Sequence, residues 1–156
     1  MIFVLIYILD DVNSGSAYIV LEYCKYGSLY DSILEQKDYL YYWEYLLRIF
    51  YDICRGMQYV HSKGLVHRDL KPENVMVCLK HFPMDADESS VKIVDFGISR
   101  FLVSKSDAPR TLCGTPGNFA PEIFTQEYSF PCDVFSFGIL MYKTIFKAEA
   151  FPNIVC

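Results

Sequence analysis

Three short motifs decide how this chain folds: HRDLKPEN at residues 67–74, DFG at residues 95–97 and APE at residues 120–122. The first motif holds an acid, Asp69, followed by a lysine and an amide, and the second motif begins with another carboxylate. Carboxylate and amide oxygens are ligands that Mg²⁺ accepts, and a lysine can neutralise a phosphate. Three such motifs in this order are far more specific than any one of them alone. A chance match to all three is very unlikely.

Composition narrows the class of protein. The 156 residues are enough for one domain, and 53% hydrophobic with 17% aromatic residues excludes disorder as the main state. The net charge is −5 without a basic stripe, so neither nucleic acid nor an anionic membrane is expected as a partner. Scattered cysteines without a C-x-x-C pair predict reduced thiols in a cytoplasmic protein, rather than disulfides or zinc. The six are Cys24, Cys54, Cys78, Cys113, Cys132 and Cys156.

The first residues predict a β-hairpin. Residues 1–9 are apolar, but the run is too short to span a bilayer and lacks the leading positive charge of a signal peptide. It therefore reads as a buried strand that Asp10 and Asp11 close, and no membrane segment is expected. A turn cluster at residues 13–16 and a second β-rich run at residues 17–22 complete the hairpin.

Helical signals follow the hairpin. Ser28, with Asp31 three residues later, predicts a capped helix start. Apolar residues recur at helical spacing from 41 to 63, and Gly64 ends that helix. Residues 133–146 are apolar almost all round and predict a helix buried on every side.

Short strands are predicted at residues 75–79 and 91–94. The acidic stretch between them, residues 80–90, could be taken for a metal cluster, but a solvated loop is the better interpretation.

The order and spacing of the motifs resemble those of the eukaryotic protein kinase family, over nearly the whole chain. The lysine two residues after Asp69 resembles serine/threonine kinases, and GNFAPE at residues 117–122 resembles the tyrosine-kinase-like branch of these. The resemblance implies an α+β fold. Residues 1–24 would form small-lobe strands and the hinge, a remnant of the small-lobe sheet, and residues 25–156 a mostly helical large lobe. The family's domain is expected to be incomplete at both ends.

The implied activity is ATP-dependent phosphorylation of serine and threonine residues in a protein substrate. By this resemblance, Asp69 orients the substrate hydroxyl and accepts its proton, and Lys71 neutralises charge on the γ-phosphate. Asn74 and Asp95 hold Mg²⁺. Thr115 lies near Asp69 and contacts the substrate.

The resemblance also implies a nucleotide pocket. Leu21 is the gatekeeper, Glu22 and Cys24 face adenine with backbone atoms, and Met76 packs beneath the ring. Each residue taken singly is an ordinary strand residue, and only the register set by the downstream motifs assigns it to the pocket.

Other positions are implied to be structural or regulatory. His67 and Phe96 pack, Gly97 permits a backbone geometry that a side chain would oppose, and Asp133 bonds the backbone of the 67–74 motif. Glu122 is implied to be structural, and its usual arginine partner lies beyond residue 156 in relatives. Arg68 would bind a phosphate placed on the loop that follows DFG. The candidate phosphosites are Ser104, Ser106 and Thr111, and an unmodified polar loop is an equally good interpretation.

Departures from the family pattern leave two functions open. No G-x-G-x-x-G loop, ATP-binding lysine or glutamate partner precedes the hinge, since these lie upstream of Met1 in relatives. Lys143 stands where relatives usually have glutamate, which puts a preference for basic substrates in doubt. One hypothesis is a serine/threonine kinase seen as a catalytically incomplete fragment. The alternative is a non-catalytic binding or scaffold module, with a partner expected over the outer face of the 133–146 helix.

Overall fold

The computed structural model describes residues 5–11, 16–35, 37, 42–78, 90–102, 115, 117–118, 120–125 and 129–151. In these ranges the strands are β1 (Leu5–Asp11), β2 (Ser16–Leu21), β3 (Leu65–Val66), β4 (Val75–Val77), β5 (Val91–Ile93) and β6 (Arg100–Phe101). The α-helices there are α1 (Leu29–Leu34), α2 (Trp43–Ser62) and α3 (Pro131–Phe146), and short 3-10 helices cover Pro72–Asn74 and Pro121–Thr125. The predicted α+β fold is confirmed.

The N-terminal hairpin is present, with one boundary different from the prediction. β1 and β2 pair antiparallel, with Leu5 opposite Leu21 and Asp11 opposite Ser16. The two aspartates at positions 10 and 11 continue β1 instead of closing it. Backbone pairing with β2, rather than the end of the apolar run, sets the end of the strand. The predicted turn residues 13–15 lie outside the described ranges.

Helix α1 begins with the predicted capping box. The Ser28 hydroxyl accepts from the Asp31 backbone N–H at 3.1 Å, and the Asp31 carboxylate accepts from the Ser28 N–H at 2.9 Å. The bonds from the Ser28 hydroxyl and backbone lower the pKa of Asp31. Gly27 precedes the cap at φ +72°, where a Cβ would lie 3.0 Å from an Asp31 carboxylate oxygen. Glycine is therefore required for the chain to enter this helix.

Helix α2 contributes many of the buried side chains of the core. The prediction of residues 41–63 is confirmed with slightly tighter bounds, Trp43–Ser62. Its buried face packs with the β4–β5 hairpin and with one buried leucine of α3. The core residues shared by these elements are Leu46, Ile49, Phe50, Ile53, Met57, Val60, Val75, Val77, Val91, Ile93 and Leu140.

A buried polar network fixes β5 against α2. The Asp52 carboxylate accepts from the Ser90 backbone N–H at 2.7 Å and from its hydroxyl at 2.6 Å. Arg48, four residues before Asp52, donates to the same carboxylate at 3.2 Å. Buried charges persist where each is paired and hydrogen-bonded. This network therefore positions Ser90, the residue immediately before β5.

The short strands differ from their predicted extents. β4 and β5 pair antiparallel, but they end at Val77 and Ile93 and not at the predicted residues 79 and 94. β3 and β6 pair with each other and were not predicted, because two-residue strands have no periodicity to detect. Among the described residues, cysteines 24, 54, 78 and 132 are free.

Helix α3 is apolar almost all round, but the described residues of this chain leave its outer face uncovered, the face over which a partner is expected. Leu140 is fully buried, but Val134 and Phe146 are each 63% exposed. Three further apolar side chains, Phe137, Met141 and Ile145, are half-buried. An apolar sequence does not reveal which helix face has a neighbour, so exposure was decided by packing. No helix in the described ranges is both long and apolar enough to cross a membrane.

We expect Leu140→Ala to lower the free energy of unfolding by about 2–5 kcal/mol, because it leaves a cavity in the core. The matched variant Val134→Ala, on the exposed face of the same helix, should change it by no more than about 0.5 kcal/mol. Urea titration followed by circular dichroism measures both. Equal losses for the two variants would contradict the packing of α3 described here.

Candidate functional site

A buried carboxylate holds the 67–74 motif in place. Asp133, near the start of α3, is 2% exposed. It accepts from the backbone N–H groups of His67 and Arg68, each at 2.9 Å, and lies 2.8 Å from Nε2 of His61 at the end of α2. Arg68 has φ 71°, a left-handed conformation that is costly for a residue with a side chain. The two hydrogen bonds that the backbone donates to Asp133 hold it in that conformation.

Asp69 lies at the centre of a polar triangle. Its Oδ1 accepts from the Thr115 hydroxyl at 2.8 Å, and its Oδ2 lies 2.9 Å from Nζ of Lys71. Lys71 also donates to the Thr115 hydroxyl at 2.6 Å. Asn74 donates to Asp69 Oδ2 at 3.1 Å. The structure therefore places these four sequence-predicted residues in direct contact.

These contacts set the charge of Asp69. Burial raises the pKa of the Asp69 carboxyl, but the hydrogen bonds from Lys71, Thr115 and Asn74 and the charge of Lys71 outweigh it, and the pKa lies below its ordinary value. These contacts therefore stabilise the folded state fully when the pH is above the ordinary pKa of an aspartate. Their contribution to stability is lost as the pH falls through the lowered pKa of Asp69. At neutral pH, Asp69 is a carboxylate that can orient a hydroxyl group and accept its proton late in a reaction.

Asn74 and Asp95 lie at the same end of the β4–β5 hairpin. Asn74 precedes β4, and its carbonyl accepts from the Val94 N–H at 2.9 Å, one residue before Asp95. The Asn74 side-chain nitrogen also donates to the Asp69 carbonyl at 2.9 Å, which leaves its amide oxygen as the atom it can offer a cation. Asp95 is exposed, and no ion pair among the described residues involves it. Both residues thus present oxygen donors of the kind that fits Mg²⁺.

Magnesium at this pair would need further ligands. Within the described ranges, no three His, Cys, Asp or Glu side chains come together at a metal-binding distance. Mg²⁺ usually keeps several waters and binds one or two carboxylates together with substrate phosphates. A site with only two protein ligands, Asn74 and Asp95, is therefore compatible with the way in which Mg²⁺ binds. The acidic residues between 80 and 89, predicted to be a solvated loop, lie outside the described ranges.

At Gly97 a side chain would be opposed by the Asp95 carboxylate. The left-handed backbone is at Asp95, with φ 60°, and not at Gly97. The Gly97 N–H donates to Asp95 Oδ1 at 3.2 Å, and a Cβ on Gly97 would lie 3.1 Å from that oxygen. Glycine is therefore favoured by the space that the Asp95 carboxylate occupies.

His67 is a packing residue with a fixed tautomer. It is fully buried, and its ring meets the Phe96 ring edge-on with centroids 4.8 Å apart. Burial lowers the pKa of His67 despite the nearby carboxylates, so the ring is neutral. Nε2 donates to the Val94 carbonyl at 3.0 Å, and Nδ1 accepts from the Asp69 N–H at 3.3 Å. This arrangement joins the 67–74 and 95–97 motifs through packing and hydrogen bonds.

The predicted hinge lies against the β4–β5 hairpin. Glu22, just after β2, forms an ion pair with Lys92 of β5, and Lys92 is the pairing partner of Met76 on β4. Cys24 is buried, and Leu21, at the end of β2, is 40% exposed. The sequence analysis missed Lys92, although a single cation inside the apolar run 91–94 was a usable signal.

The structure describes only some of the remaining predicted residues. Glu122 lies half-buried in the 3-10 helix Pro121–Thr125. Ser104, Ser106 and Thr111 lie outside the described ranges, so their pairing with Arg68 stays a prediction. His61 was also missed by the sequence analysis, because its contact with Asp133 spans 72 positions.

Replacing Lys71 by methionine should raise the pKa of the Asp69 carboxyl, because burial remains while a hydrogen bond and a positive charge are removed. An NMR titration of that carboxyl measures the change. Lys63→Met, which removes an exposed lysine at the end of α2, is the matched control and should leave Asp69 unchanged. An unaltered Asp69 pKa in Lys71→Met would show that Lys71 does not set the charge of this site.

Comparison with known proteins agrees with this geometry. The family model described as "Protein kinase domain" matches residues 2–155. The chain is 34% identical to Ribosomal protein S6 kinase 2 beta of Xenopus laevis over 89% of the chain and 21% of that protein. It is 36% identical to Ovarian-specific serine/threonine-protein kinase Lok of Drosophila melanogaster over 83% of the chain and 26% of that protein.

It is also 33% identical to Serine/threonine-protein kinase Nek1 of Mus musculus, over 92% of the chain and 12% of that protein. The chain thus spans 12–26% of the length of these three curated relatives. The match to the family model covers nearly every residue and includes all three motifs. The chain therefore belongs to the protein kinase domain family.

Proposed function

We propose that this chain carries the catalytic loop and the magnesium ligands of a serine/threonine protein kinase. The observation that supports it best is the contact of Asp69 with both Lys71 and Thr115. Phosphoryl transfer depends on positioning and on charge neutralisation more than on covalent chemistry. An ionised acid, a lysine and a hydroxyl held within 3 Å of one another supply that combination.

Each residue has one role in this proposal. Asp69 holds the serine or threonine hydroxyl of a protein substrate and accepts its proton, while Lys71 balances charge on the transferring phosphoryl group. Thr115 contacts both side chains, so its hydroxyl fixes their separation and lines the place where the substrate binds. Asp133 acts through the backbone of residues 67 and 68 and is a positioning residue.

ATP and Mg²⁺ are the proposed cofactors. Asn74 and Asp95 would hold the metal ion, which when bound neutralises charge on the nucleotide phosphates. Glu22 and Cys24 would face adenine with backbone atoms, Leu21 would close the back of the pocket and Met76 would lie beneath the ring. The Glu22–Lys92 ion pair supports this assignment, because it holds the hinge segment against β5.

A second candidate function is a binding or scaffold module with a kinase fold. It is favoured by the apolar side chains that are exposed on α3, among them Val134 and Phe146, because they would suit a partner surface. Residues 1–21 contain neither a glycine-rich loop nor a lysine that could bind the α- and β-phosphates. Phosphorylation on residues 104–111 and a cytoplasmic location remain predictions.

The chain by itself should bind Mg-ATP only weakly, because Asn74 and Asp95 are present and a phosphate clamp is not. Isothermal calorimetry with Mg-ATP measures this affinity. The double variant Asn74→Ala/Asp95→Ala is the control and should remove the residual signal. A dissociation constant of about 1 μM or tighter, roughly −8 kcal/mol, would contradict the need for a clamp.

A kinase small lobe that carries a glycine-rich loop and its lysine, fused before Met1, should restore transfer of phosphate to serine or threonine. In that fusion, Asp69→Asn should lower kcat by roughly 10²–10⁴-fold, because the hydroxyl loses its proton acceptor. Tyr59→Phe, on the exposed face of α2, is the matched control and should retain the rate.

Two outcomes would contradict the kinase proposal. Equal turnover by Asp69→Asn and its parent would show that the catalytic acid is misassigned. A folded fusion that binds Mg-ATP but transfers no phosphate would favour the binding-module function.

A further inference from the structure

Two cysteines that are distant in the sequence, Cys24 and Cys78, meet where the segment after β2 lies against the end of β4. Their Sγ atoms are 3.0 Å apart across 54 positions of sequence. Both are free thiols, Cys24 buried and Cys78 half-buried. A disulfide has an S–S bond of about 2.0 Å, so an approach of roughly 1 Å would join them.

Contacts before and after Cys24 in the sequence keep its thiol close to that of Cys78. Before it, Glu22 forms an ion pair with buried Lys92 on β5. After it, the Gly27 carbonyl accepts from the Val77 N–H at 2.9 Å. Val77 is the residue immediately before the second cysteine, so the backbone segments that carry the two thiols are already fastened together.

The second cysteine is fixed as well. The Cys78 N–H donates to the Ser90 carbonyl at 2.9 Å, and Ser90 is itself bonded to the buried Asp52 carboxylate. Neither Cys54 nor Cys132 has a contact with another of the four described thiols. The close pair is therefore a specific product of the fold and not of a high cysteine content.

We propose that Cys24 and Cys78 form a dithiol modification site, which a peroxide oxidises to an intramolecular disulfide. The more accessible Cys78 thiolate attacks a peroxide oxygen; the S–O bond forms, the O–O bond breaks, and hydroxide leaves and is protonated to water. The Cys24 thiolate then attacks the sulfur of the Cys78 sulfenic acid; the S–S bond forms, the S–O bond breaks, and a second hydroxide leaves and is protonated to water. Two thiols lose two protons and two electrons, and the peroxide accepts both electrons.

The environment makes this reaction slow at neutral pH. Burial, the contact with Cys24 and the nearby Glu22 carboxylate raise the pKa of Cys78 to about 12, against the opposing charge of Lys92. Attack requires the thiolate, so little reactive species is present at pH 7. Burial does not penalise the product, because a disulfide is uncharged. The site therefore responds to sustained oxidation rather than to a brief pulse.

The proposal depends on the two thiols alone and not on the proposed function. Its test is oxidation of the full, reduced chain with hydrogen peroxide in mildly alkaline buffer, followed by non-reducing peptide mapping. We expect a peptide containing Cys24 joined to one containing Cys78. A crosslink closing a loop of this length should raise Tm by roughly 8–16 °C, reversibly with dithiothreitol.

Matched variants sharpen the test. Cys78→Ser should abolish both the joined peptide and the Tm rise, whereas Cys54→Ser, which removes an exposed free thiol, should retain both. The rate of crosslinking should keep rising with pH well beyond about 8.5, where an ordinary thiol levels off.

Two outcomes would overturn the proposal. One is oxidation of Cys54 without any link between Cys24 and Cys78. The other is a random mixture of cysteine pairs, because the native geometry would then not direct the crosslink.

Discussion

The buried carboxylate of Asp133 is the contact on which the rest of the site depends. It accepts two backbone N–H groups from the 67–74 motif and contacts His61 of α2. An unsatisfied buried polar group costs about 1–3 kcal/mol, and a buried charge costs more. The loop therefore cannot leave Asp133 without exposing several such groups at once. That constraint makes the left-handed backbone of Arg68 tolerable, and it fixes the loop that carries Asp69.

The two carboxylates of the site, Asp69 and Asp95, have different surroundings. Asp69 is surrounded by donors, which hold it ionised despite its burial. Asp95 is exposed and without an ion pair among the described residues, so its charge is available to a cation. His67 lies between them as a neutral packing group. In the proposed function, Asp69 would bind a hydroxyl group and Asp95 a metal ion, and burial and local donors make the difference between the two acids.

The hinge segment is held by a different kind of contact. Glu22 pairs with Lys92 at the edge of the β4–β5 hairpin, and the two thiols of Cys24 and Cys78 meet a few residues along. The segment that would face a nucleotide is therefore joined to the strands that carry the proposed metal ligands. Motion of one part relative to the other would break an ion pair, a backbone hydrogen bond and the thiol contact together.

The sequence alone determined the features of this protein that depend on residues close together in the chain. The capping box of Ser28 and Asp31 involves residues three apart, and the stripe of α2 repeats at the helical period, so both could be predicted without knowing any neighbour. The order of the three motifs likewise predicted the family and the candidate catalytic residues. Motif spacing is a property of the chain alone.

Tertiary structure decided what depends on distant partners. The exposure of Val134, the role of Gly97 in leaving space for Asp95, and the pairing of Lys92 with Glu22 all follow from contacts that no local pattern encodes. The two thiols illustrate the limit most directly, since the sequence showed only scattered cysteines, and a separation of 54 positions became one of 3.0 Å. Side-chain type predicts what a residue can do, but only packing determines which groups it meets and whether water reaches them.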